Sequence, residues 1–84
     1  MEKEVMIRIT DETEAHPAAM LVQIASRYDS SVYMETTGKK VNAKSIMGMM
    51  SLDLKQGKTI VVSAEGPDEE DAVKGIEDFL AGNK

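Results

Sequence analysis

Apolar residues in this chain change their spacing along its length, and that change limits the fold more than any other feature. Val5, Ile7 and Ile9 alternate with Glu4, Met6 and Arg8, the period of a strand with one buried face. Ala18, Leu21, Val22 and Ala25 then recur at helical spacing, a single stripe fit for a core. His16-Pro17 opens this helix, because proline lacks the N–H that the first helical position leaves unpaired. His16, Met20, Gln23 and Arg27 fall on the opposite stripe, so Met20 is expected as a large apolar side chain on an exposed face. The helix is expected to end near Tyr28-Asp29-Ser30.

The rest of the chain continues the switching. Val32 to Glu35 reads as a strand, Thr37-Gly38-Lys39 as a turn, and Lys40 to Ala43 as a short returning strand. Ser45 stands where an N-cap belongs, before a short helix at Ile46-Met47-Gly48-Met49-Met50. Gln56-Gly57-Lys58 reads as a turn, and Thr59 to Ala64 is a β-branched run suited to a central strand. Gly66-Pro67-Asp68 starts a last helix, whose acidic first turn complements the helix dipole. Ala72, Val73, Ile76, Phe79 and Leu80 form its apolar stripe. The predicted order is β-α-β-β-α-β-α. Three helices on one face of a four-stranded, mostly antiparallel sheet would bury every stripe, leaving the other face, with Glu4, Arg8 and Glu35, to solvent. We expect one α+β domain over residues 1–84, with no internal repeat or linker.

Composition removes several function classes. Cysteine is absent and there is one histidine, so thiolate and histidine-rich metal sites are excluded and no cofactor is expected. Net charge is −5, which argues against direct nucleic-acid binding. One Phe and two Tyr, with no Trp, leave little aromatic surface for stacking on bases. No apolar run approaches the ~18 residues of a membrane span, and the first residues lack a signal-peptide core. A cytoplasmic protein is expected. No nucleophile–base pair or phosphate-cradling glycine loop stands out, so independent catalysis is not expected.

Two places carry candidate chemistry. The segment Ser45 to Leu52 is apolar all round, yet a two-turn surface helix hides only one side. Met49 and Leu52, supported by Leu54, make the plausible buried side, which leaves Ile46, Met47 and Met50 at least partly exposed as an adaptable contact surface. A more deeply buried helix is the plain alternative. Ser45 is either an ordinary N-cap or a phosphorylation site, since a phosphate there meets free N–H groups at a helix start. Lys39, Lys40 and Lys44 lie near it in sequence. His16 is either a solvent-facing residue without chemistry or a phosphoryl-carrying nucleophile. Asp11, Glu12 and Glu14 beside it would repel phosphate.

Val41-Asn42-Ala43-Lys44-Ser45-Ile46-Met47-Gly48-Met49-Met50-Ser51-Leu52 resembles the regulatory-serine segment of the HPr family, the histidine-containing phosphocarriers of the bacterial phosphotransferase system for sugar transport. It is at least as close to the family's Crh branch, the catabolite-repression HPr-like proteins. Pro17-Ala18-Ala19 with Leu21-Val22-Gln23, and Ser63-Ala64-Glu65-Gly66, resemble other family segments, so the likeness spans the chain. It implies the HPr open-faced β-sandwich. The phosphocarrier motif, Gly-aliphatic-His-x-Arg-Pro-Ala, is not kept. Anchored on Pro17, Glu12 replaces the glycine, Thr13 the aliphatic residue, Glu14 the histidine and His16 the arginine. Glu14 cannot form a stable phosphoramidate. Anchored on the first strand instead, His16 matches the histidine, but the arginine and glycine are still missing.

The resemblance implies a protein of carbon catabolite control, phosphorylated on Ser45 by HPr kinase/phosphorylase and docking to a LacI-type repressor, catabolite control protein A. The implied contact positions are His16, Ala19, Met20, Gln23, Ile46, Met47 and Met50. Histidine phosphocarrier activity is expected to be lost or altered; the alternative is an active phosphocarrier using His16, with enzyme I and sugar-specific IIA domains as partners. Monomer and dimer are both open.

Overall fold

The computed structural model describes residues 1–9, 16–36, 38–52 and 54–82. Its elements run β1 (Glu2–Met6), α1 (Pro17–Ala25), β2 (Ser31–Thr36), β3 (Lys39–Asn42), α2 (Ile46–Met50), β4 (Thr59–Glu65) and α3 (Glu69–Leu80). Among the described residues the strands form one sheet in the order β1-β4-β2-β3, with all three pairs antiparallel. This is the α+β open-faced architecture that the element order predicts.

Register follows from side-chain alternation. Val5 faces Ile60, and Met34 stands between Val62 and Val41, so one sheet face is a continuous apolar layer. Val32, Met34, Ile60, Val62 and Ala64 on that face are buried against Leu21 and Ala25 of α1 and the whole predicted stripe of α3. A one-residue slip of any strand would turn this layer to solvent, which fixes the pairing. On the opposite face Glu2, Glu4, Glu35 and Lys40 are exposed, with Met6 and half-exposed Tyr33 among them. Lys40 Nζ lies 5.3 Å from the Tyr33 ring centroid, a cation–π contact.

Two element ends and one side-chain placement differ from the sequence expectation for local reasons. β1 ends at Met6, although Ile7 and Ile9 remain buried. Ile7 N–H donates to the Lys58 carbonyl (2.8 Å) and Arg8 N–H to the Leu80 carbonyl (2.7 Å), so the chain leaves the ladder while keeping its alternation. α1 stops at Ala25, earlier than Tyr28, because Arg27 and Tyr28 donate three residues back, to Ile24 and Ala25, which tightens the final turn. Met20 is half-buried and packs against the core rather than standing on an exposed face. The reason is α2, which lies against α1 and covers that flank.

A partly buried polar junction joins the end of α1 to the start of α3. The Asp68 carboxylate accepts from Asp29 N–H (2.9 Å), Ser30 N–H (2.9 Å) and the Ser30 hydroxyl. Asp68 N–H donates back to Ser30 Oγ (3.2 Å). Asp68 is the N-cap residue of α3, yet its side chain makes no bond to its own helix. Gly66 permits this closeness: its φ is +150°, and a Cβ there would lie 2.7 Å from Ser30 Cα.

Candidate functional site

Ser45 is placed by the turn that leaves β3. Asn42 Oδ1 accepts from Lys44 N–H (2.8 Å) and the Asn42 carbonyl from Ser45 N–H (3.0 Å), an arrangement natural to asparagine. Ser45 keeps an extended backbone (φ −101°, ψ 114°) and caps α2, its Oγ accepting from Gly48 N–H at 3.3 Å. Its carbonyl accepts the first helical bond from Met49 N–H (2.9 Å). Ser45 is therefore half-buried at a helix start, with its oxygen turned to the amide groups of the first turn.

Gly48 is a positioning residue that the sequence reading passed over. A Cβ there would lie 3.3 Å from Val41 Cβ, a tight contact, and 3.5 Å from Ser45 Oγ, an ordinary one, so glycine eases the close packing of α2 on β3. The available signal was a glycine inside an otherwise apolar helix, where it is less favourable than alanine.

The three lysines near Ser45 in sequence do not converge on it. Lys44 Nζ donates to the Tyr28 carbonyl at 2.7 Å, tying the end of α1 to the segment before α2. Lys39 reaches the Ser51 carbonyl, at the far end of α2, at 3.5 Å. Lys40 points to the open sheet face beside Tyr33.

On α2, Met49 is fully buried, and Leu52 just beyond the helix is buried with it. Ile46, Met47 and Met50 are 42%, 83% and 71% exposed. The more deeply buried alternative for this helix is thus not what the chain adopts. On the neighbouring α1, Gln23 is exposed, while Ala19 and Met20 are half-buried. Ile46, Met47 and Met50 form an exposed apolar patch on α2 directly after the Ser45 cap.

His16 is exposed at the start of α1, with Pro17 at the first helical position. Its backbone is left-handed (φ 50°, ψ 63°), the one non-glycine residue with positive φ among the described residues. Its carbonyl accepts from Met20 N–H (3.1 Å), while its ring makes no capping bond. Glu14, the other candidate for the histidine position, lies outside the described residues.

A shallow groove of about 760 Å³ lies on the open sheet face, lined by Tyr33, Lys40, Ser63 and Glu65 among others, and holds none of the candidate residues. Among the described residues no helix is long and apolar enough to cross a membrane.

Comparison with known proteins gives this geometry a context. Residues 1–82 match the family described as the PTS HPr component phosphorylation site. The chain is 45% identical to the HPr-like protein Crh of Halalkalibacterium halodurans, over 95% of both chains. Among solved structures, the phosphocarrier protein HPr of Bacillus anthracis superposes with a TM-score of 0.88 at 39% identity, covering 95% of each chain. The Crh of Bacillus subtilis, described as a swapped dimer, gives a TM-score of 0.76 at 39% identity, over 95% of this chain and 87% of that one.

Proposed function

The chain belongs to the HPr family, and on that premise we propose that it is a Crh-like regulatory protein of carbon catabolite control, switched by phosphorylation of Ser45. The observation that carries this reading is the placement of Ser45 as the cap of a helix whose next residues, Ile46, Met47 and Met50, are exposed and apolar. A phosphate on Ser45 Oγ would face the first-turn amide groups of α2, where helix geometry favours an anion. It would also add about −1.5 to −2 charges beside the apolar patch. The modified protein then offers a partner one anion and one apolar helix side at once.

In this reading HPr kinase/phosphorylase transfers phosphate from ATP to Ser45. The product docks to a LacI-type repressor, catabolite control protein A, through His16, Ala19, Met20, Gln23, Ile46, Met47 and Met50. Histidine phosphocarrier activity is lost or altered, because neither alignment of His16 restores the family's arginine. The chain works as a cytoplasmic protein without catalysis of its own. Incubation with ATP and the kinase tests the site: the wild type gains one phosphate and Ser45→Ala gains none. Modification persisting in Ser45→Ala would remove Ser45 from the account.

A second reading rests on His16 itself. Its ring is exposed at a helix start and its backbone is held in a conformation unusual for histidine, a feature that clusters at functional sites. Phosphoryl transfer through His16, from enzyme I and on to IIA domains, predicts an acid-labile phosphate that His16→Ala abolishes.

A further inference from the structure

We propose that Met47 and Met50 form a paired oxidation site, at which a hydroperoxide converts the thioethers to sulfoxides and so switches off the apolar contact surface of α2. The consequence for docking rests on the role proposed above for that surface. The site itself rests on an asymmetry within one short helix. Met47 and Met50 are largely exposed, whereas Met49 between them has no accessible surface. Met34 is equally enclosed, and Met20 is half-buried. Oxidation of a side chain follows its exposure, so the fold grades these thioethers: Met47 and Met50 are the most open, Met1 and Met6 are about half exposed, and Met34 and Met49 are enclosed.

The step balances without a cofactor. A sulfur lone pair attacks the terminal oxygen of a hydroperoxide, ROOH. The S–O bond forms as the O–O bond breaks, and the proton of the terminal hydroxyl passes to the departing alkoxide to release ROH. Sulfur loses two electrons and the peroxide gains them. Methionine sulfoxide reductases reverse the change.

The product is similar in size but polar, and its new oxygen is a strong hydrogen-bond acceptor. On the free helix, water solvates that oxygen and the core beneath is untouched. Against an apolar partner surface the same oxygen must be desolvated without a donor, which opposes binding. Two modifications would then act on one helix with opposite sign: phosphate at its cap promotes docking, and sulfoxides on its outward side release it. Met1 and Met6 are also about half exposed, but Met1 lies beside Ala64 of β4 and Met6 is paired with Thr59 of β4, away from α2, and both serve as internal controls.

The test uses the full chain phosphorylated with ATP and HPr kinase/phosphorylase, then treated with dilute hydrogen peroxide. Peptide mapping follows each sulfoxide, a thermal melt follows the fold, and calorimetry follows binding to catabolite control protein A. We expect sulfoxides at Met47 and Met50 well before Met34 and Met49, an unchanged melt, and binding weakened tenfold or more, restored by the reductases. The Met47→Leu/Met50→Leu variant, compared with itself before and after peroxide, should show no change; Met6→Leu should still lose affinity. Oxidation of Met49 as fast as Met47, or full affinity with both sulfoxides present, overturns the switch. Absence of binding by the unoxidised phosphoprotein is a different failure: it removes the docking role, and the switch with it.

Discussion

Replacing Met49 by alanine should destabilise the fold by about 3 kcal/mol, whereas Met47→Ala and Met50→Ala should each stay within about 0.5 kcal/mol of the wild type. The contrast follows from burial, since Met49 is fully enclosed and packs in the core cluster while its two neighbours face solvent. Truncating a buried methionine costs about 2–5 kcal/mol, depending on how far the surroundings close on the cavity. α2 spans five residues and lies at the surface of the helical layer, so it can settle part-way, which selects the lower half of that range. In a domain of this size a loss of about 3 kcal/mol lowers the melting temperature by roughly 12–24 °C. Urea denaturation followed by far-UV circular dichroism gives the free energies directly, with an unchanged slope showing that the same surface is exposed on unfolding. A silent Met49→Ala together with a Met50→Ala loss of about 2 kcal/mol or more would mean that α2 presents its other side. The apolar patch after Ser45 would then not exist.

Other outcomes follow from the junctions that hold the site. Gly66→Ala combines a backbone conformation that side chains rarely adopt with a clash against the Ser30 backbone, and should cost about 3 kcal/mol or more. Gly57→Ala, at φ +90° with open space around it, should cost only about 1 kcal/mol; equal losses in denaturant titration would refute the clash. The Ser30 hydroxyl, followed by the Asp29 N–H and its neighbours, holds the Asp68 carboxyl below the ordinary carboxylate range. A lowered folded-state pKa gives stability that is complete above the unfolded value, about 3.9, and is lost as pH falls through the folded value. Ser30→Ala and Asp68→Asn should therefore flatten the acid limb of stability against pH, and an unchanged limb would contradict the junction. Ser45→Ala removes the hydroxyl that caps α2 and should cost about 1 kcal/mol, with Ser45→Asp recovering most of it; equal stability of all three proteins would show that the cap contributes nothing.

The sheet and the outer helices were legible because their signals are periodic. Val5, Ile7 and Ile9 alternate with Glu4, Met6 and Arg8, and the α3 stripe from Ala72 to Leu80 repeats at helical spacing; each predicted its own burial. The orientation of α2 was also legible, since Met49 and Leu52 are three apart and can share one side. Met20 was misjudged because a helix read alone has one buried stripe, whereas α1 touches both the sheet and α2. The Ser30–Asp68 junction joins residues 38 apart through hydrogen bonds that leave no periodic trace. Lys44 was placed near Ser45 by sequence distance alone, while its four-carbon stem carries the charge back to the Tyr28 carbonyl. The left-handed backbone of His16 was equally invisible, because a residue before proline normally takes an extended conformation.

The most direct test of the account compares two incubations of the same purified chain by intact mass: one with ATP and HPr kinase/phosphorylase, the other with phosphoenolpyruvate and enzyme I. A single acid-stable phosphate from the first alone, mapped to Ser45, is the predicted result. An acid-labile phosphate from the second, with none from the first, would contradict it and make His16 the working residue.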